Sequence, residues 1–489
     1  MKGLRSSWPK PRRFDRNLVV IGAGAAGLTA SYIASAARAK VTLIEGHKMG
    51  GDCLNYGCVP SKALIRSATF LRQARRCKDL GIARAPVEYD FREIMARVHH
   101  VIKTIEPHDS VERYNRLGVE VIHGMAHITS PWTVEVNGRT LTTRAIVIAT
   151  GSRPVVPPIP GLEQVRYYTS DTIWSLTERP KRLVVLGGGP VGCELAQAFA
   201  LLDCQVTQVE RTGLMGREDP DAVALVEAAL RADGVRVLTQ THAIRCQSEA
   251  GGQQLIVRHQ DGTEEALPFD ALLCAAGRVA RTEGFGLEEM GIPISTNGVI
   301  ETDAWLQTLY PNIYACGDVA GPYQFTHVAA HQGWYAAVNA LFGSVKRFKV
   351  DYSIIPWTTF THPEVARAGL SEAEANTRGV RFEVTRYSLE DLDRAITDEA
   401  AHGFIKVLTV PGKDQILGVA IVGARAGDLL AEFVLAMKHG LGLNKILGTI
   451  HSYPTWPEAN KYVAGEWRRA HMPSRLLGWV EKYHAWRRG

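Results

Sequence analysis

No apolar run in this 489-residue chain reaches the roughly 20 residues that a membrane-crossing helix needs. The first apolar stretch, Leu18–Ile21, already belongs to a strand pattern, so the N-terminus shows no secretory core. Cysteine is scarce. The eight residues at 53, 58, 77, 193, 204, 246, 274 and 316 fit neither zinc-site spacing nor a disulfide framework. That excludes a metal-stapled or disulfide-stapled scaffold and points to a cytoplasmic setting. There a bridge between Cys53 and Cys58 is catalytic rather than structural. Excess charge is missing from the body. Residues 1–16 hold six Lys/Arg against Asp15, and 461–489 hold seven against Glu466 and Glu481, so each end carries +5. The whole chain is +6, which leaves −4 for the middle. This argues against a nucleic-acid groove and for two basic tails, solvated or facing an anionic surface. What remains is a globular composition, 46% hydrophobic and 22% charged, in a chain long enough for about three or four domains.

The run Asn17–Ile21 reads as a buried parallel strand. Gly22, Gly24 and Gly27 form a GxGxxG turn, followed by a small-residue helix to Ala37 and a second strand, Lys40–Ile44, that ends on Glu45. The glycines allow a tight turn and close approach of the backbone to a pyrophosphate, and Glu45 stands where an acid grips ribose hydroxyls. The pattern repeats: a strand at Arg182–Leu186, a second GxGxxG at Gly187, Gly189 and Gly192, a helix over Cys193–Phe199, and a strand ending on Glu210.

Between the two lies Gly50-Gly51-Asp52-Cys53-Leu54-Asn55-Tyr56-Gly57-Cys58-Val59-Pro60-Ser61-Lys62, running into a helical pattern from Ser61. A thiol at a helix start feels the positive end of the dipole, which favours thiolate, the nucleophile in disulfide exchange and a ligand for soft metals. Two cysteines five apart are equally compatible with a structural bridge or buried thiols. Their place directly after a nucleotide fingerprint favours redox chemistry. Strands are expected at Gly118–Ile122, Trp132–Gly138 and Ala145–Ile148, helices over 63–120, and a sheet-and-helix layer from about Val350.

Gly50–Lys62 resembles the redox-disulfide segment of the class I pyridine nucleotide–disulfide oxidoreductases, and further motifs follow in that family's order from about Arg16 to about Ala470. These are FAD enzymes such as dihydrolipoamide dehydrogenase, glutathione reductase and mercuric reductase. The resemblance implies an α/β fold with two Rossmann-like domains and a C-terminal α+β dimerisation domain. Its expected boundaries are 17–155 for FAD with the redox disulfide, 156–277 for NAD(P)H, 278–350 for the return to the central domain, 351–470 for dimerisation, and 471–489 for a basic amphipathic tail. It implies FAD contacts at Gly51, at Thr150 and Gly151 of the ATGSRP segment, at Asp318 on the ribityl chain and at His327, and cofactor contacts at Gly277 and Arg278 of the AxGR return that ends the NAD half. His327 is equally readable as a packed helix-terminal residue. It implies Cys58 nearest the flavin, Cys53 meeting the substrate, and a Lys62–Glu194 pair near the flavin. Glu210 favours NADH over NADPH, with Arg211 beside it as the opposing feature.

Two departures bear on chemistry. The family's tyrosine gate over the flavin corresponds here to Pro190. Its acid–base motif H-P-T-x-x-E corresponds to Tyr453-Pro454-Thr455-Trp456-Pro457-Glu458, so Tyr453 replaces the histidine and Glu458 is kept. A phenol with a pKa near 10 is a poor base at neutral pH. Mercuric reductases also carry tyrosine there, but this chain has neither their C-terminal vicinal cysteines nor an N-terminal CxxC domain. His451, two residues earlier, projects to the same side if the segment is extended. The expected enzyme is a homodimer that passes electrons from NAD(P)H through FAD and Cys53–Cys58 to a soft metal ion or disulfide. The alternatives are a dihydrolipoamide dehydrogenase-like enzyme and a membrane-associated flavoprotein redox sensor of low turnover. The tail, with Leu476, Trp479, Val480, Tyr483 and Trp486 flanked by Arg475, Lys482, Arg487 and Arg488, suits the inner face of a membrane, or packs on the body or the partner.

Overall fold

The computed structural model describes residues 8–249 and 252–489, in two compact units. One takes the chain to Ala74, then Pro86–Thr212 and Leu238–Asp351; the other takes Arg75–Ala85, Gly213–Val237 and Tyr352–Gly489. Lys2 and Arg5 of the basic N-terminal tail lie outside the described residues, as does the side chain of Arg475.

The first unit carries both nucleotide folds. Its first sheet is parallel where Val119–His123, Val41–Glu45, Arg16–Ile21, Arg139–Ile148 and Ile313–Ala315 line up, and an antiparallel hairpin (His127–Ser130, Thr133–Val136) extends one edge. Leu18, Val19 and Val20 are fully buried, as an unbroken apolar run between two covered faces requires. The helix Ala25–Ala36 packs against Thr326–Phe342 over small residues; a Cβ on Gly333 would stand 2.3 Å from the Ala26 carbonyl oxygen. The second sheet pairs Gln205–Val209, Arg182–Leu186, Ala271–Cys274 and Tyr167–Thr169 in parallel.

A three-stranded antiparallel sheet, His242–Glu249, Gly252–Arg258 and Glu264–Phe269, is an addition to the expected pattern. Its second turn contains Asp261-Gly262, with Gly262 at φ +85, a hairpin signal present in the sequence.

The second unit holds a five-stranded antiparallel sheet and the helices Ala426–Lys438 and Glu458–Ala470. Its core gathers Ile405, Val407, Ile421, Phe433, Trp456 and Trp467. The helix Pro220–Ala232 belongs to this unit, and charge explains why. Lys406, with a nearly buried side chain, reaches Asp219 at 2.8 Å, Glu372 at 2.9 Å and Asp221 at 3.0 Å. Burial pulls its pKa down, and the three carboxylates outweigh that and raise it. Arg367, 1% exposed, ion-pairs Glu374, donates to the Arg217 carbonyl at 2.6 Å and stacks over Trp357.

The tail forms the helix Ser474–Arg488, with Leu476, Leu477, Trp479, Val480, Tyr483 and Trp486 all exposed. Among the described residues no helix is long and apolar enough to cross a membrane.

Candidate redox site

The redox segment begins on a backbone contact. Gly51 has φ +58, and a Cβ on it would stand 2.6 Å from the Cα of Gly24, so only glycine lets this segment lie against the fingerprint turn. Gly50 N donates to the Ala23 carbonyl at 3.0 Å. Cys53 lies in a short helix, Gly51–Asn55. Both Tyr56 N (2.8 Å) and Gly57 N (2.6 Å) donate to the Asp52 carbonyl and close the turn. Cys58 then opens the 18-residue helix Cys58–Arg75, three residues earlier than the sequence pattern suggests. The apolar pattern starts late because the first turn is spent on Cys58, Pro60 and Ser61. Ser61 Oγ donates to the Cys58 carbonyl at 3.2 Å.

The two sulfurs share a hydrogen bond, and Thr326 Oγ1 lies 3.5 Å from Cys58 Sγ. That bond from Cys53, with Thr326 and the Lys62 charge, lowers the Cys58 pKa to about 6 against desolvation and the Glu194 charge. Cys53 moves the opposite way, because its proton is held toward Cys58 and its sulfur is desolvated. Lys62 Nζ meets Glu194 Oε2 at 2.6 Å, across 132 residues, and Glu194 is buried on the helix Pro190–Leu201. Thr326 was not anticipated as part of this cluster; its position at the start of Thr326–Phe342 was the available signal.

The glycine turns and their acids come together as expected. Glu45 accepts from Ala23 N at 2.6 Å and His47 N at 2.7 Å. Glu210 accepts from Gly188 N at 2.6 Å, Thr212 N at 3.0 Å and Thr212 Oγ1 at 3.1 Å. A Cβ on Gly27 would stand 1.8 Å from the Gly22 carbonyl oxygen and one on Gly192 would stand 2.1 Å from that of Gly187, so helix and strand close tightly in both folds. Nothing lies within 4 Å of a Cβ on Gly189, which keeps that turn open to a ligand.

A second network gathers the remaining expected cofactor residues. Thr150 Oγ1 donates to the Arg281 carbonyl at 2.8 Å, next to Gly151 at φ +69. Ser152 Oγ donates to Asp318 Oδ2 at 2.7 Å, and burial pushes the Asp318 pKa up. Arg278, after Gly277 at φ +110, donates Nε–H to Ser152 Oγ at 2.8 Å and ion-pairs Asp52. A half-enclosed acid with one oxygen held by a serine suits a polyol, and the open glycine turns suit a pyrophosphate, so these residues fit a flavin dinucleotide. Sequence reasoning missed Asp52 and Ser152. His327 stacks on Phe325, centroids 5.4 Å apart and 9° from parallel.

The acid–base segment lies in the second unit. Tyr453 is 68% exposed, and its hydroxyl donates to Asp393 Oδ2 at 3.0 Å. Asp393 raises the phenol pKa, further from neutrality. Glu458, buried at the head of Glu458–Ala470, accepts from Thr455 N at 3.0 Å and the Tyr462 hydroxyl at 3.3 Å. His451 does not accompany Tyr453. Its side chain is 7% exposed, with Nε2 on Glu432 at 3.0 Å and Nδ1 on the Thr449 carbonyl at 3.1 Å. The segment is irregular rather than extended, so the two-residue alternation does not apply.

Two Rossmann turns, a dithiol on a helix start and a lysine held by a buried glutamate define a two-nucleotide dithiol reductase architecture. Residues 16–333 match the family described as pyridine nucleotide-disulphide oxidoreductase, and 355–464 match its dimerisation domain. The chain belongs to that family. It is 34% identical to a dihydrolipoyl dehydrogenase of Thermus scotoductus over 90% of this chain and 95% of that one. It is also 34% identical to a mercuric reductase of Streptomyces lividans, over 92% and 95%. Among solved structures it resembles LpdA of Mycobacterium tuberculosis (TM-score 0.84, 26% identity, 94% of this chain and all of that one). It also resembles a Cu(II) complex of the HOCl-induced flavoprotein disulfide reductase RclA of Escherichia coli (0.80, 28%, 91% and 98%). The protein is an FAD-dependent, NAD(P)H-linked disulfide oxidoreductase with two Rossmann-like domains and a dimerisation domain that supports a homodimer.

Proposed function

We propose that this enzyme uses its Cys53–Cys58 pair to reduce a soft, thiol-bound metal ion of the mercuric type, with NADH as donor. For the mercuric bis-thiolate the balance is NADH + H⁺ + Hg(SR)₂ → NAD⁺ + Hg⁰ + 2 RSH. The observation that carries this reading is Tyr453, a phenol held neutral by Asp393 where a dithiol dehydrogenase needs an imidazole. Glu45, Gly22, Gly24, Gly27, Thr150, Gly151 and Asp318 hold FAD, and Gly187, Gly189, Gly192 and Glu210 hold the nicotinamide dinucleotide. The bound flavin supplies two-electron transfer between nicotinamide and disulfide. Cys58, nearest the flavin, carries the thiolate, which Thr326 and Lys62 stabilise. Cys53 is the sulfur that meets the acceptor. Glu194 fixes the Lys62 ammonium, and Glu458 anchors the segment that brings Tyr453 of the second subunit to the thiols. There the phenol oxygen helps to hold a soft ion.

Glu210 supports NADH, since its carboxylate would face the 2′-phosphate of NADPH. The scarcity and spacing of the cysteines support a reducing, cytoplasmic setting. The exposed aromatic residues of Ser474–Arg488, with Lys482, Arg487 and Arg488, suit an anionic lipid surface, which co-sedimentation with phosphatidylglycerol vesicles tests.

The deciding experiment measures NADH oxidation against thiol-complexed Hg(II), Cu(II), lipoamide and glutathione disulfide. Metal-dependent turnover well above that with the disulfides supports the reading. Robust dihydrolipoamide oxidation by wild type, lost in His451→Ala, overturns it in favour of a dihydrolipoamide dehydrogenase with a displaced base.

A further inference from the structure

Asp52 and Arg278 lie 226 residues apart in sequence and form an ion pair, with Asp52 next to Cys53 in the chain. Both are partly enclosed, with side chains 35% and 24% exposed. Arg278 joins distant parts of the first unit. Nε donates to Ser152 Oγ at 2.8 Å, Nη2 to the Ser152 carbonyl at 3.2 Å, and Nη1 to Ser170 Oγ at 3.3 Å and Asp171 Oδ1 at 3.4 Å. Ser152 Oγ passes the chain on to Asp318. Asp52 is the residue on which the loop between the cysteines closes, since its carbonyl receives Tyr56 N and Gly57 N while its side chain is held by Arg278. The peptide next in line is that of Cys53.

We propose that the Asp52–Arg278 pair is a positioning and charge-setting device that fixes the redox poise of the Cys53–Cys58 couple. It rests on the reading of those cysteines as the redox pair. The couple exchanges as disulfide + 2 GSH ⇌ dithiol + GSSG: the Cys53–Cys58 bond breaks, the glutathione disulfide bond forms, and two electrons pass. At neutral pH the reduced pair holds one thiolate, so whatever stabilises a thiolate stabilises the dithiol and raises its potential. Lys62 and Glu194 act most directly on Cys58; in this proposal Arg278 adds to the first and Asp52 to the second. The other charged groups around Asp52 are Asp171, Arg281 and Asp318, which stay in place when either member is changed. Removing one member therefore shifts the equilibrium one way, and removing the other shifts it the opposite way. A scaffold role alone would move both in the same direction, or neither.

The test equilibrates holoenzyme anaerobically in glutathione buffers, quenches in acid and counts thiols by mass-tagged maleimide at Cys53 and Cys58. Arg278→Gln is expected to shift the equilibrium toward disulfide by about tenfold, about 30 mV for a two-electron couple. Asp52→Asn is expected to shift it toward dithiol by a similar factor. The double variant should return to within about threefold of wild type, because the two charges are removed together. Same-sign shifts, or unshifted couples in variants that retain flavin absorbance, overturn the proposal. Wild type with no two-electron couple at these cysteines would instead overturn the redox reading beneath it. Arg278→Lys, which keeps the charge but cannot span Asp52 and Ser152 together, gives a second arm. Recovery of most of the potential by lysine supports the charge assignment, and a shift equal to that of glutamine overturns it.

Discussion

The two glycine turns use the same parts and end in different surroundings. In each, an acid at the end of the second strand accepts a backbone N–H from the glycine loop: Glu45 from Ala23 and Glu210 from Gly188. Glu45 is buried, and its turn is clamped by Gly51 of the redox segment. Glu210 is more open, and its turn leads directly into Pro190 and the helix that carries Glu194. One turn is packed into the body and the other is left more open, the contrast expected if the first is the permanent cofactor seat and the second takes a dinucleotide that exchanges every cycle. The same motif thus serves tight and transient binding according to what packs on it.

The sharpest way to separate the turns is to damage each alone. Gly22 has φ +101, and a Cβ on it would stand 2.4 Å from the Ala149 carbonyl oxygen; for Gly187 the values are +119 and 2.3 Å from Ala275. Strain of this kind costs about 1–3 kcal/mol per residue before the clash is counted. Gly22→Ala should yield colourless, unstable protein. Gly187→Ala should remain yellow and raise KM for NADH by at least tenfold on the order of one lost contact. Absorbance at the flavin bands and steady-state kinetics check both, and loss of flavin in Gly187→Ala would contradict the division of labour.

Next in size, Cys58→Ser should abolish the long-wavelength thiolate–flavin absorbance of the two-electron-reduced enzyme while flavin stays bound. Cys53→Ser should keep a thiolate at Cys58. The pH dependence follows from the opposite shifts of the two sulfurs. Cys58, lowered to about 6, stays thiolate at neutral pH, and its alkylation by iodoacetamide should slow as pH falls through about 6. A single midpoint near 8–9 for both, the ordinary thiol range, would mean that the sulfurs do not share a proton.

The smallest expected effects concern selectivity. Glu210→Gln should narrow the NADH preference by roughly tenfold in kcat/KM, because a like-charge contact with a 2′-phosphate is removed. Tyr453→His should raise dihydrolipoamide oxidation by roughly 10²-fold, the low end of general base catalysis. An unchanged rate would show that Asp393 and Glu458 do not leave the new imidazole in a usable position.

Much of this was readable from local pattern. Leu18–Ile21 and Leu183–Leu186 announce buried strands, and the glycine spacing announces the turns, because each depends on residues a few positions apart. Lys62–Glu194 was accessible only through family resemblance. Asp52–Arg278 was not readable, since its partners are 226 residues apart and neither stands in a periodic pattern. The projection of His451 to the side of Tyr453 was conditional on an extended segment; two-residue alternation holds only in a strand, and here Glu432 holds the ring. The placement of Pro220–Ala232 in the second unit had one overlooked sign, a lysine within Phe404-Ile405-Lys406-Val407-Leu408-Thr409, where a buried ammonium demands acids from elsewhere.

That lysine also constrains how the sequence can drift. With three carboxylates converging on Lys406, loss of Glu372 or Asp221 leaves the ammonium still matched by the two that remain. Loss of Lys406 first leaves the buried Asp219 carboxylate without its ammonium and beside two like charges, a larger penalty. Mutational history at this junction therefore has a direction. Glu372 and Asp221 are free to change one at a time while Lys406 and Asp219 are locked to each other, so an ancestor or designed variant lacking Lys406 should also lack Asp219.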